Sequence, residues 1–208
     1  MALIDKIILG FDHALRTILL PAKPQRATPG ETSTTSLLSE TEKLAAARLM
    51  RVNHSGEVCA QALYQGQALT ARNPTTQQAL QAASREEMDH LAWCETRIHE
   101  LGGGKSIFNP FWYGASFTLG AVSGLLGERW NLAFLVETER QVEGHLKGHL
   151  QQLSPADHRT RAILEQMKID EASHARTGLR YGAAELPLPV KLTMKLASRV
   201  MTRTAYWV

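Results

Sequence analysis

"EEMDHLAWCE", residues 86–95, and "KIDEASHARTG", residues 168–178, decide how this chain is read. Each sets a Glu three residues before a His, Glu87 with His90 and Glu171 with His174. Residues three apart share one stripe of an α-helix. Leu80, Ala83, Leu91, Cys94 and Ile98 lie on the stripe of the first pair, and Leu164, Met167 and Gly178 on that of the second. An apolar stripe faces a core, so both pairs are expected to point inward. Glu86 and Asp89 fall off the first stripe and are expected to point elsewhere.

The helices carrying these pairs have readable ends. Ser39 with Glu42 forms a capping-box pattern and predicts the start of a long helix. Asn73-Pro74 ends it and opens the second, because Asn caps and Pro suits a first helical turn. The glycines at 102–104 stop the second helix. A third is expected over about 129–153, and Ser154-Pro155 separates it from a fourth that fades near Gly182. Two such hairpins make a four-helix bundle. The link over 103–128 is far longer than a tight turn needs, so it can travel the length of the bundle and leave the second and third helices parallel. This is the ferritin-like arrangement with one long crossover.

Outside the bundle, Ile4, Ile7, Ile8, Phe11, Leu15, Ile18 and Leu19 recur at helical spacing and predict a short amphipathic helix. "PAKPQRATPGETSTTSLL", residues 21–38, reads as a linker. The expected organisation is residues 1–38 as helix and linker, then 39–208 as an all-α bundle with further short amphipathic helices. The chain's 208 residues suit one domain, and its 44% hydrophobic content is enough for a core. Its net charge of +3 is a mild basic bias that fits an anionic membrane surface or nucleic acid and proves neither; no nucleic-acid partner is expected. Cys59 and Cys94 lack disulfide or zinc spacing and are expected as reduced thiols. Asp5 and Asp12 interrupt the N-terminal apolar run, which excludes a secretory signal.

Two more carboxylates sit on apolar stripes. Glu139 shares the third helix's stripe with Leu135, Val142 and Leu146, and Glu57 shares the first's with Met50, Ala60 and Tyr64. Folding at Asn73 brings Glu57 level with the 87/90 pair, and folding near Pro155 brings Glu139 level with the 171/174 pair. The pattern Glu, turn, ExxH therefore occurs twice, as in an internal duplication with a two-fold axis through the centre. Four buried carboxylates need a counter-charge, and the stripes offer no Lys or Arg. Two divalent cations would balance them, with one imidazole for each. Hard oxygen plus imidazole suits iron or manganese. The expected metal ligands are Glu57, Glu87, His90, Glu139, Glu171 and His174. His54 and His145 are left outside that set. Spacing alone does not choose between oxygen activation, iron storage and peroxide reduction.

"RVNHSGEVCA" at 51–60, "EEMDHLAWCETRIHELGG" at 86–103, "VETERQVEGHLKGHL" at 136–150 and "DEASHARTG" at 170–178 resemble the demethoxyubiquinol hydroxylase family. The resemblance covers about residues 40–208. It implies a ferritin-like fold, a di-iron centre on the same six residues, and an O2-dependent monooxygenase. The implied substrate is a polyprenyl benzoquinol whose ring is hydroxylated late in ubiquinone biosynthesis; one oxygen atom goes to the ring and the other leaves as water. The electron donor is not readable, since there is no nucleotide-binding glycine-rich loop. A ferritin-like iron- or peroxide-handling protein and a di-iron hydroxylase of modified tRNA are the alternatives. Lacking a transit extension, the chain is similar to the bacterial branch, so the cytoplasmic face of the cell membrane is the expected location.

A polyprenyl substrate lies in the bilayer, and two segments are expected to meet it. The 22 residues between Lys105 and Glu128 carry no charge, and Phe111, Trp112, Tyr113 and Phe117 suit an interfacial helix; a buried crossover is the other reading. Lys191, Lys195, Arg199 and Arg203 fall four apart beside Leu192, Leu196 and Val200. That pattern predicts a peripheral basic helix on anionic lipid, or on a lipid-binding or ubiquinone-biosynthesis partner protein. A homo-oligomer is compatible with either.

Overall fold

The computed structural model describes residues 3–32 and 38–208. Residues 33–37 of the expected linker lie outside the described residues, as do the side chains of Ile4 and Ile7, two positions of the predicted N-terminal stripe. All regular structure among the described residues is helical: α1 (Leu3–Leu19), α2 (Glu40–Thr70), α3 (Pro74–Glu100), α4 (Asn109–Leu125), α5 (Glu128–Gln152), α6 (His158–Arg180) and α7 (Leu188–Trp207).

The helix ends follow local chemistry. Ser39 Oγ accepts from the Glu42 amide, while Glu42 Oε2 accepts from the Ser39 amide at 2.8 Å, closing the capping box. Asn73 Oδ1 accepts from the Thr75 amide at 2.8 Å, with Pro74 in the first turn. The cap of α6 is Asp157, whose Oδ1 takes the Thr160 amide at 3.0 Å, a little beyond the Ser154-Pro155 break.

The helices α2, α3, α5 and α6 form the bundle, with α2 along α3, α5 along α6, and α3 against α6. Glu128 at the start of α5 accepts from the amides of Arg72 and Asn73 at 2.7 and 2.9 Å. So α5 begins at the same end as α3, and the two run parallel. The crossover achieves this: α4 lies along α2 in the same direction. Asn109 meets Ser55 at 2.8 Å, and Thr70 Oγ1 donates to Ala121 O at 3.0 Å. Glycines allow this close approach. A Cβ on Gly66 would run into the Phe117 carbonyl, and one on Gly120 into the Leu63 carbonyl. One face of α4 is thus buried on α2, while Phe111, Leu119, Val122 and Leu125 on another face are exposed. The crossover is both packed and exposed, where the sequence left a choice between the two.

Two apolar clusters fill the bundle. Met50, Trp93, Cys94, Ile98, Leu146, Ile163, Leu164 and Met167 form one. Leu63, Tyr64, Leu80, Ala83, Leu135 and Val136 form the other. Burying such side chains contributes roughly 1.5–3 kcal/mol each, which is the gain that holds four helices around a polar centre.

Candidate metal centre

Between the two apolar clusters all six expected residues meet. Glu57, Glu87, His90, Glu139 and Glu171 are almost fully buried, and His174 is 8% exposed. They form two overlapping groups. In the first, Glu57, Glu87, His90 and Glu171 each offer a ligand atom within 4.8 Å of the others. In the second, Glu87, Glu139, Glu171 and His174 do the same. Glu87 and Glu171 are common to both.

Each imidazole turns Nδ1 inward. His90 Nδ1 is 2.9 Å from Glu87 Oε2 and 3.3 Å from Glu171 Oε1. His174 Nδ1 is 3.2 Å from Glu87 Oε1 and 3.5 Å from Glu171 Oε2, without hydrogen-bond geometry. Each Nε2 turns outward to a further carboxylate. His90 Nε2 meets Asp170 Oδ2 at 2.9 Å, and His174 Nε2 meets Glu86 Oε2 at 3.2 Å. The acidic residue just before each core Glu therefore braces the histidine of the opposite hairpin. Such a partner fixes ring orientation and tautomer and raises basicity at the other nitrogen.

Neither brace follows from stripe position: Glu86 falls off its apolar stripe, where it is expected to point elsewhere, and Asp170 carries no predicted role, although the acidic doublets 86–87 and 170–171 stand in the sequence. Tyr64, expected only as part of an apolar stripe, is a polar neighbour as well: its hydroxyl donates to Glu139 Oε1. His54 and His145 take no part in either group. His54 Nδ1 sits 3.3 Å from the Asn109 amide nitrogen, and His145 stacks on His149. The cysteines are both free. Burial, and then the charges of Glu57, Glu87 and Glu171, push the Cys94 thiol well above its ordinary range, so it remains a protonated packing group.

The carboxylates show what the cluster lacks. Burial raises the pKa of Glu57 well above the usual value, reinforced by Glu87 and Glu171. Burial likewise raises Glu139, with Glu171 adding to it. Burial opposes charge on His90, yet Glu87 and the neighbouring acids carry its pKa well up. Glu87 Oε1, Glu139 Oε2, Glu171 Oε2 and His174 Nδ1 are buried without a hydrogen-bond partner, and all belong to the second group. Buried groups of this kind are costly unless something binds them, and a pair of divalent cations fits the donor set and the charge.

An apolar cavity of about 500 Å3 reaches this centre from the side. It lies between α2, α4, α5 and α7, and Glu57 is in its wall together with Trp112, Phe134, Met194 and Met201. A second cavity of about 730 Å3, between α1, α2, α3 and α4, has Tyr64 in its wall.

A parallel-crossover bundle with two buried Glu/His groups that share carboxylates and could hold metal defines a ferritin-like helical protein. The family of ubiquinone biosynthesis protein COQ7 matches residues 44–205, and the chain belongs to it. Relatives named 3-demethoxyubiquinol 3-hydroxylase agree. Those of Nitrosospira multiformis and Nitrosomonas europaea are each 63% identical over 99% of both chains. The one of Dechloromonas aromatica is 56% identical over 97% of this chain and 98% of its own.

Proposed function

We propose that this protein hydroxylates the ring of a demethoxyubiquinol with O2, on a di-iron centre held by Glu57, Glu87, His90, Glu139, Glu171 and His174. The observation that carries it is the position of Glu57, which belongs to one Glu/His group and also to the wall of the apolar cavity. A hydrophobic quinol entering there arrives beside the metal ligands. Glu87 and Glu171, common to both groups, would serve both ions, while Glu57 and His90 would hold one and Glu139 and His174 the other. Iron held there would supply the activation of O2 for ring hydroxylation, one oxygen atom going to the ring and the other to water with two electrons and two protons from an external reductant.

The chain's own groups do the rest. Trp112, Phe134 and Leu63 offer apolar surface to the ring and prenyl tail, and Thr138, Gln141 and His145 line the same cavity with polar atoms suited to quinol hydroxyls. The two apolar clusters exclude water from either side of the centre. Asp170 and Glu86 hold the imidazoles in register through their Nε2 atoms.

The same reading brings the protein to a membrane surface. No helix among the described residues is long and apolar enough to cross a bilayer. The exposed apolar faces of α4 and α7 instead suit an interfacial seat, with Lys195, Arg199 and Arg203 exposed beside Leu192, Leu196 and Val200 for anionic lipid at the cytoplasmic face. Residues 39–208 are then the catalytic unit, and 1–38 an appended helix and strap. The test is complementation. A bacterium deleted for its own hydroxylase accumulates demethoxyubiquinone, and this chain should clear it while Glu57→Ala and Glu171→Ala should not. An unchanged quinone profile with soluble, iron-loaded protein present would overturn the substrate assignment.

A further inference from the structure

The stretch read as a linker is laid across the bundle, beside the histidine of one group. The Ala22 amide donates to Glu95 Oε2 at 3.1 Å, and the Gln25 amide to Asp89 Oδ1 at 2.5 Å. Arg26 is the anchor. Its Nε donates to Asp89 Oδ2 at 2.7 Å and its Nη1 to Asp170 Oδ2 at 2.9 Å. Its guanidinium also sits 4.7 Å over the Trp93 ring, which in turn lies 5.4 Å from the His90 ring. One planar cation therefore joins α3 to α6 through two nearly buried carboxylates. Asp170 Oδ2 is the very oxygen that meets His90 Nε2. The other group differs: the brace on His174 is Glu86, with its side chain 46% exposed against 11% for Asp170. The two hairpins are alike in sequence pattern, but among the described residues the strap roofs the His90 side and not the His174 side.

We infer that the N-terminal strap is a latch for one half of the metal centre: Arg26, seated between Asp89 and Asp170, fixes the carboxylate that orients His90, so that docking of residues 22–26 and metal binding by Glu57, Glu87, His90 and Glu171 strengthen each other. Arg26 touches no substrate and no reacting atom; it is a positioning residue. A guanidinium suits the place because its fork reaches two carboxylates at once, whereas a lysine ammonium is a single point charge. The coupling is reciprocal by linkage: whatever factor the docked strap adds to metal affinity, bound metal adds to the docking equilibrium. Arg26 also reaches the ring itself, with Nη2 3.5 Å from His90 Nε2, the nitrogen that Asp170 meets at 2.9 Å. Loss of a group that orients a metal-binding histidine weakens affinity about 10–100-fold, and with Asp170 still in place Arg26 belongs near the lower end.

The inference rests on the metal reading above, and one experiment separates the two. Ferrous iron is titrated anaerobically into the full chain against a competing chelator, while amide exchange is followed in the segment 20–32. In the wild-type chain, iron should slow exchange at Gln25 about tenfold. Arg26→Ala should weaken one of the two iron affinities about tenfold, leave the other within about twofold, and abolish the response of the strap to iron. Arg26→Lys should fall between the two. Should Arg26→Ala fail to fold, Arg26→Lys and Asp89→Asn carry the same comparison. A purely structural Arg26 would lower the melting temperature with both affinities and the iron response unchanged, and that result overturns the latch. A wild-type chain that takes up no iron would sink the metal reading and the latch together.

Discussion

One methyl group added to α4 at two different glycines should move stability in opposite directions. Gly114 is exposed, and an added Cβ there meets nothing within 4 Å. Gly114→Ala removes only the backbone freedom of a helical glycine and should stabilise by about 0.5–1 kcal/mol. At Gly120 the same Cβ would strike the Leu63 carbonyl and come within 3.0 Å of the Gln67 nitrogen. Both are helical backbone and cannot rotate aside, so α4 must lift from α2. Overpacking of this kind costs roughly 1–3 kcal/mol; less the same helical gain, Gly120→Ala should lose up to about 2.5 kcal/mol. The helical gain is common to both variants, so they should differ by the overpacking cost, about 1–3 kcal/mol. At about 2–4 °C per kcal/mol for a chain of this size, that is roughly 2–12 °C between their melting temperatures. Thermal denaturation followed by circular dichroism reads this directly. Equal melting temperatures would mean that α4 does not rest backbone-to-backbone on α2, and the crossover would have to sit elsewhere.

Three further outcomes follow from the buried charges and the exposed faces. Burial lowers His54 to about 4, against a partial counter-pull from Glu95, and burial with His145 lowers His149 to about 4. Both stay neutral when folded and take a proton near 6.5 when unfolded, so stability is full above about pH 6.5 and falls toward pH 4, by up to about 1.4 kcal/mol per pH unit for each; urea denaturation at pH 7 and pH 5 should show the loss, and a flat profile refutes it. Because burial raises Glu57 and Glu139, metal must displace their protons, so iron affinity should strengthen about tenfold per pH unit for each proton released, and chelator competition that gives one affinity at pH 6 and pH 8 would contradict this. The double substitution Lys195→Glu with Arg199→Glu should weaken sedimentation with anionic vesicles at least about thirtyfold, at about 1 kcal/mol per cation removed, and wild-type binding indifferent to salt would argue against the interfacial seat.

Helix ends and the inward carboxylates were legible because each rests on short-range rules. A Ser-x-x-Glu box, an Asn-Pro junction and a spacing of three or four read the same in any fold. Glu57, Glu87, Glu139 and Glu171 stood out because carboxylates on apolar stripes demand a reason. The braces did not stand out. Glu86 and Asp170 lie beside their stripes, and what they touch depends on the height of a helix from the other hairpin, which no local spacing encodes. Arg26 was harder still, since a Pro-rich segment shows no periodicity and its docking site is made by two helices far along the chain. For α4, the glycines that fit the groove of α2 also thinned its hydropathy, so one feature served both the buried and the exposed reading.

The crossed braces bear on when this centre comes into being. His90 leans on a residue 80 positions later, and His174 on one 88 positions earlier. A nascent chain that has made only its first hairpin holds Glu57, Glu87 and His90 but neither Asp170 nor Glu171. Such a fragment has Glu87 at His90 Nδ1 but lacks the Asp170 carboxylate that meets Nε2, and it holds only part of each Glu/His group. On the metal reading proposed above, the full donor set would therefore exist only once both hairpins have been made and have met.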